Sequence, residues 1–297
     1  MSRYKEQYIE WEVPSWREAV DVADHMHGWL FRGQEDKEWG LTSSLERQAV
    51  DNQYPIAAIQ DAEREIFDLF QRQAHHYLPQ PAAENNIIEW LSIMQHHGAP
   101  TRLLDVTESF YVAAFFALEN ARKKSVVWAF DRYQFDRQFL FDAVGTGTKR
   151  DELARKEVND NIWVGGNSKA IAVRPWRLNQ RLIIQQGWFL CPLGSDISFE
   201  HCLCRTLGLE DGHLPTKTPV FTKESLIEML QRTTDPLRLV KFILPPAERI
   251  PAIADLRRMN ITAATLFPGL DGFARSLKFL AQIFFDGEEV TGGTPVG

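Results

Sequence analysis

The sequence predicts an α+β fold, a single domain with helical insertions, and three observations carry that reading. Short apolar runs of strand length, at 29–33, 125–130 and 238–244, are scattered among longer amphipathic helical patterns. Strands and helices do not alternate in the regular βαβ manner that builds an all-parallel sheet. No internal repeat and no long linker divides the 297 residues, of which 44% are hydrophobic and 25% charged.

Each element has a local cause. Ser15 and Glu18 have capping-box spacing and predict a helix from Trp16 to about His27, closed by Gly28. Trp29–Gly33 reads as a strand ending in a turn. Ile56, Ile59, Ile66, Phe67, Phe70 and Tyr77 set a helical stripe over 54–77, which Pro79 and Pro81 end. A second amphipathic helix spans 86–97, with Gly98 as its C-terminal cap. Pro100 imposes an extended start on a strand at 101–105. The helix over 109–122 is apolar almost all round and is therefore expected to be buried. SVVWAF at 125–130 is a buried strand. Residues 131–168 look irregular, with Gly145, Gly147, Gly165 and Gly166 marking loops. A strand at 170–173, a helix from Pro175 toward Gln186 and a strand at 187–191 follow. Turn-rich residues surround a helix near 223–232. The strand 238–244 precedes helices at 247–259 and 271–284, and the tail from Asp286 is expected to fray.

Composition excludes several classes. The chain carries 33 Lys and Arg against 40 Asp and Glu, a formal charge of -7, which is the wrong sign for a protein built on phosphate-backbone contacts. The excess acid sits in residues 1–100, with 8 basic and 17 acidic side chains; residues 101–150 hold 8 and 6. Three cysteines do not make a disulfide framework. No apolar run approaches a membrane span, and the N-terminus has no secretory pattern. These features read as a cytoplasmic protein that uses neither membrane nor nucleic acid.

Three segments concentrate unusual chemistry. In Trp29–Gln34, Arg32 interrupts an apolar strand. A guanidinium there needs a carboxylate partner such as Glu35 or Asp36, or an anionic ligand approached closely at Gly33. The segment 95–109 crowds Gln95, His96, Thr101, Arg102, Asp105 and Thr107 around a helix end, a strand and the start of a buried helix. His96 and His97 point about 100° apart on a helix and do not share a metal easily. In Arg181–Phe189, Gln185 and Gln186 lead into a glycine and an aromatic strand, which suits a buried polar network or a ligand contact. His201, Cys202 and Cys204 are too few for zinc, 145–150 lacks Walker spacing, and neither GxSxG nor HExxH occurs.

FRGQ (31–34), QHHGAPTRLLDVTESFYVAAFFAL (95–118), RLIIQQGWF (181–189) and TLFPGLDGFARSLK (265–278) together resemble the bacterial FRG domain family. The resemblance implies an FRG domain over 29–285, between an N-terminal helical segment (1–28) and a flexible tail (286–297), and a setting in accessory or defence-type genes. A more distant similarity is to ADP-ribosyltransferases of the Arg / Ser-Thr-Ser / Glu type. It implies a small split mixed sheet, NAD as substrate, no metal, and a toxin or phage-defence effector acting on a protein target. In that reading Arg32, Gly33 and Gln34 grip the nucleotide-like ligand. Gln95, His96, Thr101, Arg102, Asp105 and Thr107 form one wall, and Gln185 and Gln186 form the opposite one. The third element carries no carboxylate where those enzymes have glutamate, which leaves Glu200 or another acid to supply the charge. The rival is a non-catalytic interaction module whose motifs form a structural core network.

Overall fold

In the computed structural model, which describes residues 7–146, 148–194, 197–209, 214, 221–232 and 236–278, seven strands form one mixed sheet. They are β1 (Tyr8–Glu12), β2 (Trp29–Gln34), β3 (Leu104–Thr107), β4 (Ser125–Asp131), β5 (Ala170–Val173), β6 (Gly187–Pro192) and β7 (Leu239–Leu244). The order across the sheet is β1-β7-β4-β2-β3-β6-β5; β1 and β7 run parallel and every other neighbour is antiparallel. The α+β expectation with a mixed sheet therefore holds, but the sheet is larger than the small one expected. β1 was not legible because YIEWE mixes charge with aromatics. Its cause is tertiary: Ile9 and Trp11 bury on one face against partners more than two hundred residues away. Residues 8–12 thus make the first segment part of the sheet as well as a helix.

The helices follow their caps. Ser15 accepts from the Glu18 N–H at 3.3 Å to start α1 (Trp16–Ala23). Ser43 does the same for α2 (Ser44–Asp51), a helix the hydrophobic pattern did not announce. α3 (Ile59–Ala74) begins five residues later than the stripe suggested, because Pro55 keeps its neighbour extended and a short 3-10 turn, Ile56–Ala58, intervenes. α4 (Ile87–His96) ends in a Schellman motif: Gly98 has φ +83°, and the Ala99 N–H reaches the Met94 carbonyl at 2.9 Å. The strand expected at 101–105 lies instead at Leu104–Thr107, and Ser109 caps the buried α5 (Phe110–Leu118). The stretch read as irregular is two helices, α6 (Tyr133–Thr146) and α7 (Arg150–Asn161). α8 (Gln180–Ile184) starts from an Asn179 cap rather than at Pro175. α9 (Phe199–Leu207), α10 (Lys223–Leu230), α11 (Arg249–Arg258), the short α12 (Ala263–Leu266) and a helical stretch at 270–278 complete the described chain. The expected continuation of that last stretch to residue 284, and the tail, lie outside the described residues.

Alternation along the strands sorts three cores. On one face of β1, β7, β4 and β2, the residues Phe31, Val127, Ala129 and Phe242 pack against α1, α5, α10 and α11. On the same face of β5 and β6, Ile171, Val173, Phe189 and Cys191 pack against α3, α4 and α7. The opposite face is closed by α9 over Leu104, Val106, Trp128 and Trp188. The β2–β3 seam thus lies between the two cores of the first face. Among the described residues no helix is long and apolar enough to cross a membrane. All three cysteines are buried, and burial pushes the Cys191 and Cys204 thiols up to about 12.

Candidate functional site

The seam is split. β3 pairs with β6 at all four of its residues but with β2 only through Phe31 and Thr107. Beyond that pair the strands diverge, and a cleft of about 760 Å³ occupies the opening. That volume is in the range of small-molecule sites. Arg32 spans the gap: its Nη1 donates to the Asp105 carbonyl at 2.7 Å, taking a group that a continuous ladder would pair. Gly33 lets α5 form one wall. A Cβ at residue 33 would stand 1.9 Å from the Ala113 carbonyl oxygen and 2.6 Å from the Ala117 nitrogen. The glycine read as room for a ligand is therefore first of all room for a helix.

Three arginines face this space. Arg32 comes from β2, Arg47 from α2 and Arg181 from α8. Among the described residues none of them has a carboxylate within ion-pair distance. The Arg32 Nε is buried without a hydrogen-bond partner. Burial draws its guanidinium down from the ordinary value; the Asp105 charge opposes this and Arg47 adds to it. Arg181 is drawn down by burial as well, against Asp105 and with Arg275, and stacks 4.6 Å from the Phe267 ring centre. Arginine stays protonated under such shifts, so three fixed positive charges line the cleft, alongside the carboxylates of Glu35, Glu38 and Asp105. Trp39 and Phe116 add aromatic surface to its walls.

Asp105 is held from behind. Gln95 Nε2 donates to Asp105 Oδ2 at 2.9 Å, and the Thr101 hydroxyl donates to Gln95 Oε1. Thr101 is itself fixed, with its backbone N–H on Ser44 Oγ at 3.0 Å and its hydroxyl accepting from the Leu103 N–H at 3.2 Å. The amide of Gln95 can therefore point only one way. Thr107 ties the corner between β3 and α5, donating to the Gln185 carbonyl at 2.7 Å and accepting from the Ser109 N–H at 3.0 Å.

Of the residues singled out from sequence, Arg32, Gly33, Gln34, Asp105, Thr107 and Gln185 converge on the cleft. Gln34 is committed to the scaffold, accepting from the Trp128 indole at 2.6 Å and donating to the Gly40 carbonyl at 3.0 Å. Gln185 ties α8 to α12 through its amide on the Leu266 carbonyl at 3.0 Å. The other readings need correction. Arg102 forms no wall. It is buried in the core with Glu63, Nε to Oε2 at 2.8 Å, and its Nη1 serves the carbonyls of Ile162, Pro192 and Leu193. Thr101 is fully buried and reaches Asp105 through Gln95, which is absent from the cleft lining and lines a small neighbouring depression. His96 lines a small neighbouring depression that shares Asp105, Arg181 and Gln185 with the cleft; burial, then His97 and Arg181, lower its pKa.

Gln186 is exposed and outside the cleft, serving as the left-handed residue, φ +49°, that ends α8. Glu200 lies on α9, against the opposite face of the sheet, where it accepts from the Leu214 N–H at 3.4 Å. Sequence reasoning missed Trp39, Thr42, Arg47 and Phe116. No local signal marked Arg47, whereas Arg181 stood inside the third segment without being chosen. Among the described residues no cluster of three or more His, Cys, Asp or Glu is placed to hold a metal ion.

The fold and cleft define an α+β protein with an arginine-lined site at a split in a mixed sheet. Residues 27–126 match the model of the FRG domain. The match takes in β2, α2 to α5 and β3, hence the Arg32, Arg47 and Asp105 side of the cleft, while Arg181 and Gln185 lie beyond it. No curated protein and no solved structure matches the chain significantly.

Proposed function

We propose that the cleft binds a nucleotide-like small molecule, with NAD the leading candidate, and that the chain uses it as an ADP-ribosyl donor in a toxin or phage-defence role. The observation that carries this reading is the convergence of Arg32, Arg47 and Arg181, none paired with a carboxylate among the described residues, on one opening beside Trp39 and Phe116. Guanidinium groups suit phosphate oxygens, and aromatic walls suit a base or nicotinamide ring. The overall negative charge does not decide this, since one small anion feels the local field of the three guanidinium groups.

Calorimetric titration with NAD and ADP-ribose tests the reading. Arg47→Ala is the cleaner variant, because Arg47 is exposed and, among the described residues, its side chain makes one hydrogen bond, to the Thr42 carbonyl at 2.8 Å. A charge-assisted hydrogen bond of about 1.5–3 kcal/mol predicts a roughly 10- to 100-fold weaker Kd. Absence of binding to the wild type rejects the proposal.

The interaction-module reading also has a specific observation behind it. Gln34, Gln95, Thr101, Arg102 and Thr107 all spend their polar atoms inside the protein. Under that reading Arg32→Ala lowers the melting temperature and no nucleotide binds.

A further inference from the structure

We propose that a second depression, beyond the arginine cleft, binds a primary ammonium group on an aliphatic chain, either a free amine or a lysine side chain, with the Glu89 carboxylate as its counter-ion. The site is separate from the nucleotide reading and stands or falls without it.

Glu89, Ser92, Ile93 and His96 follow one another on α4 at the spacings that share a helix face. With Leu78 and Leu178 they line a depression of about 240 Å³, room for one side chain rather than for a nucleotide. It shares Ser92, His96 and Asn179 with the small depression that reaches Asp105 and Arg181, so it ends a run of concavities that begins in the cleft.

Glu89 and Ser92 are almost fully buried, at 4% and 5% exposure. Glu89 Oε2 accepts from Asn86 Nδ2 at 3.3 Å and from the Arg177 backbone N–H at 3.5 Å. Among the described residues Oε1 accepts no hydrogen bond, the Ser92 hydroxyl makes none, and no cation stands within ion-pair distance of the carboxylate. A carboxylate withdrawn from water without a cation is costly, and one that lines a depression can recover the loss from a cationic ligand. The free atoms select the cation. One carboxylate oxygen and one hydroxyl suit a compact ammonium, whereas the guanidinium fork needs both carboxylate oxygens and Oε2 is already engaged. Leu78, Ile93 and Leu178 give the aliphatic stem an apolar surface. Burial, then His97 and Arg181, hold the His96 ring below its ordinary value, so it adds no positive charge near neutral pH.

Ligand-observed NMR on the full chain at neutral pH tests the site with n-butylammonium, a short peptide containing one lysine, and the same peptide with that lysine acetylated. Binding of n-butylammonium supports a free amine as the source. Much tighter binding of the lysine peptide, lost on acetylation, supports a polypeptide. Glu89→Gln should weaken whichever probe binds by about 10- to 100-fold, and should melt as high as wild type or higher, because an amide needs no cation. Glu84→Gln, at an exposed carboxylate outside the depression, should bind as wild type does. The proposal is overturned if neither probe binds, if Glu89→Gln binds unchanged, or if Glu84→Gln loses as much. It is equally overturned if n-butylguanidinium binds as tightly as n-butylammonium. A lower melting temperature in both Glu89→Gln and Arg177→Ala would mark an internal ion pair and overturn it too.

Discussion

A methyl group at position 33 has no space, and Gly33→Ala therefore tests how the cleft is built. The added carbon would meet the Ala113 carbonyl oxygen at 1.9 Å, the Ala117 nitrogen at 2.6 Å and the Ala113 carbonyl carbon at 2.9 Å. All three are backbone atoms of α5, so no rotamer change relieves the clash. Restoring ordinary contact needs the helix to retreat by about 1.5 Å. α5 cannot retreat alone, because Phe110, Val112, Ala114, Phe115 and Leu118 are buried along it. Overpacking of this kind costs roughly 1–3 kcal/mol, and contact with rigid backbone places this site at the upper end. For a chain of this size that lowers the melting temperature by about 6–12 °C. Gly40→Ala is the control: it lines the same cleft, but nothing lies within 4 Å of its added carbon. Its stability should stay within about 0.5 kcal/mol of wild type. Thermal and urea unfolding of the two variants decide the matter. A Gly33→Ala protein that melts with the wild type would refute the assignment of this glycine to helix–strand packing.

Two further outcomes follow from buried charge. Glu63→Ala strands the Arg102 guanidinium in the core and should cost about 3–5 kcal/mol by urea unfolding, while Glu63→Met combined with Arg102→Met should cost clearly less. Burial raises the Glu46 carboxyl above its usual range, with the Phe199 and Ser43 N–H groups opposing in part. The fold thus favours the neutral form, and stability from this group falls as pH rises from the ordinary glutamate value through the raised one. Glu46→Gln should melt at least as high as wild type near neutral pH. The difference should vanish toward about pH 4, where melts in a pH series will show it.

Much of the site was legible locally. An arginine inside an apolar strand, a polar cluster around 95–109 and an amide pair before β6 are each inconsistent with a simple core, and Arg32, Asp105 and Gln185 meet in the cleft. What each residue does was not legible. Arg102 and Asp105 are three positions apart in one motif, yet one is sealed in the core by Glu63 and the other is open to the cleft. Pattern alone gave no reason to separate them, since the partner that decides lies 39 residues away. Glu200 follows the third segment in the chain, yet α9 carries it to the other side of the sheet.

The sequence by itself determined the α+β class, the caps at Ser15 and Gly98, the strands β2, β4 and β7, and the burial of α5. These depend on side-chain period and on neighbours within a turn, which the chain carries locally. Tertiary structure alone decided the parallel β1–β7 pairing, the divergence of β2 from β3, the arrival of Arg47 at the opening and the relay behind Asp105. Each of those requires segments distant in sequence to be brought together, and their geometry is set by how α5 and the two cores fill space on either side of the seam.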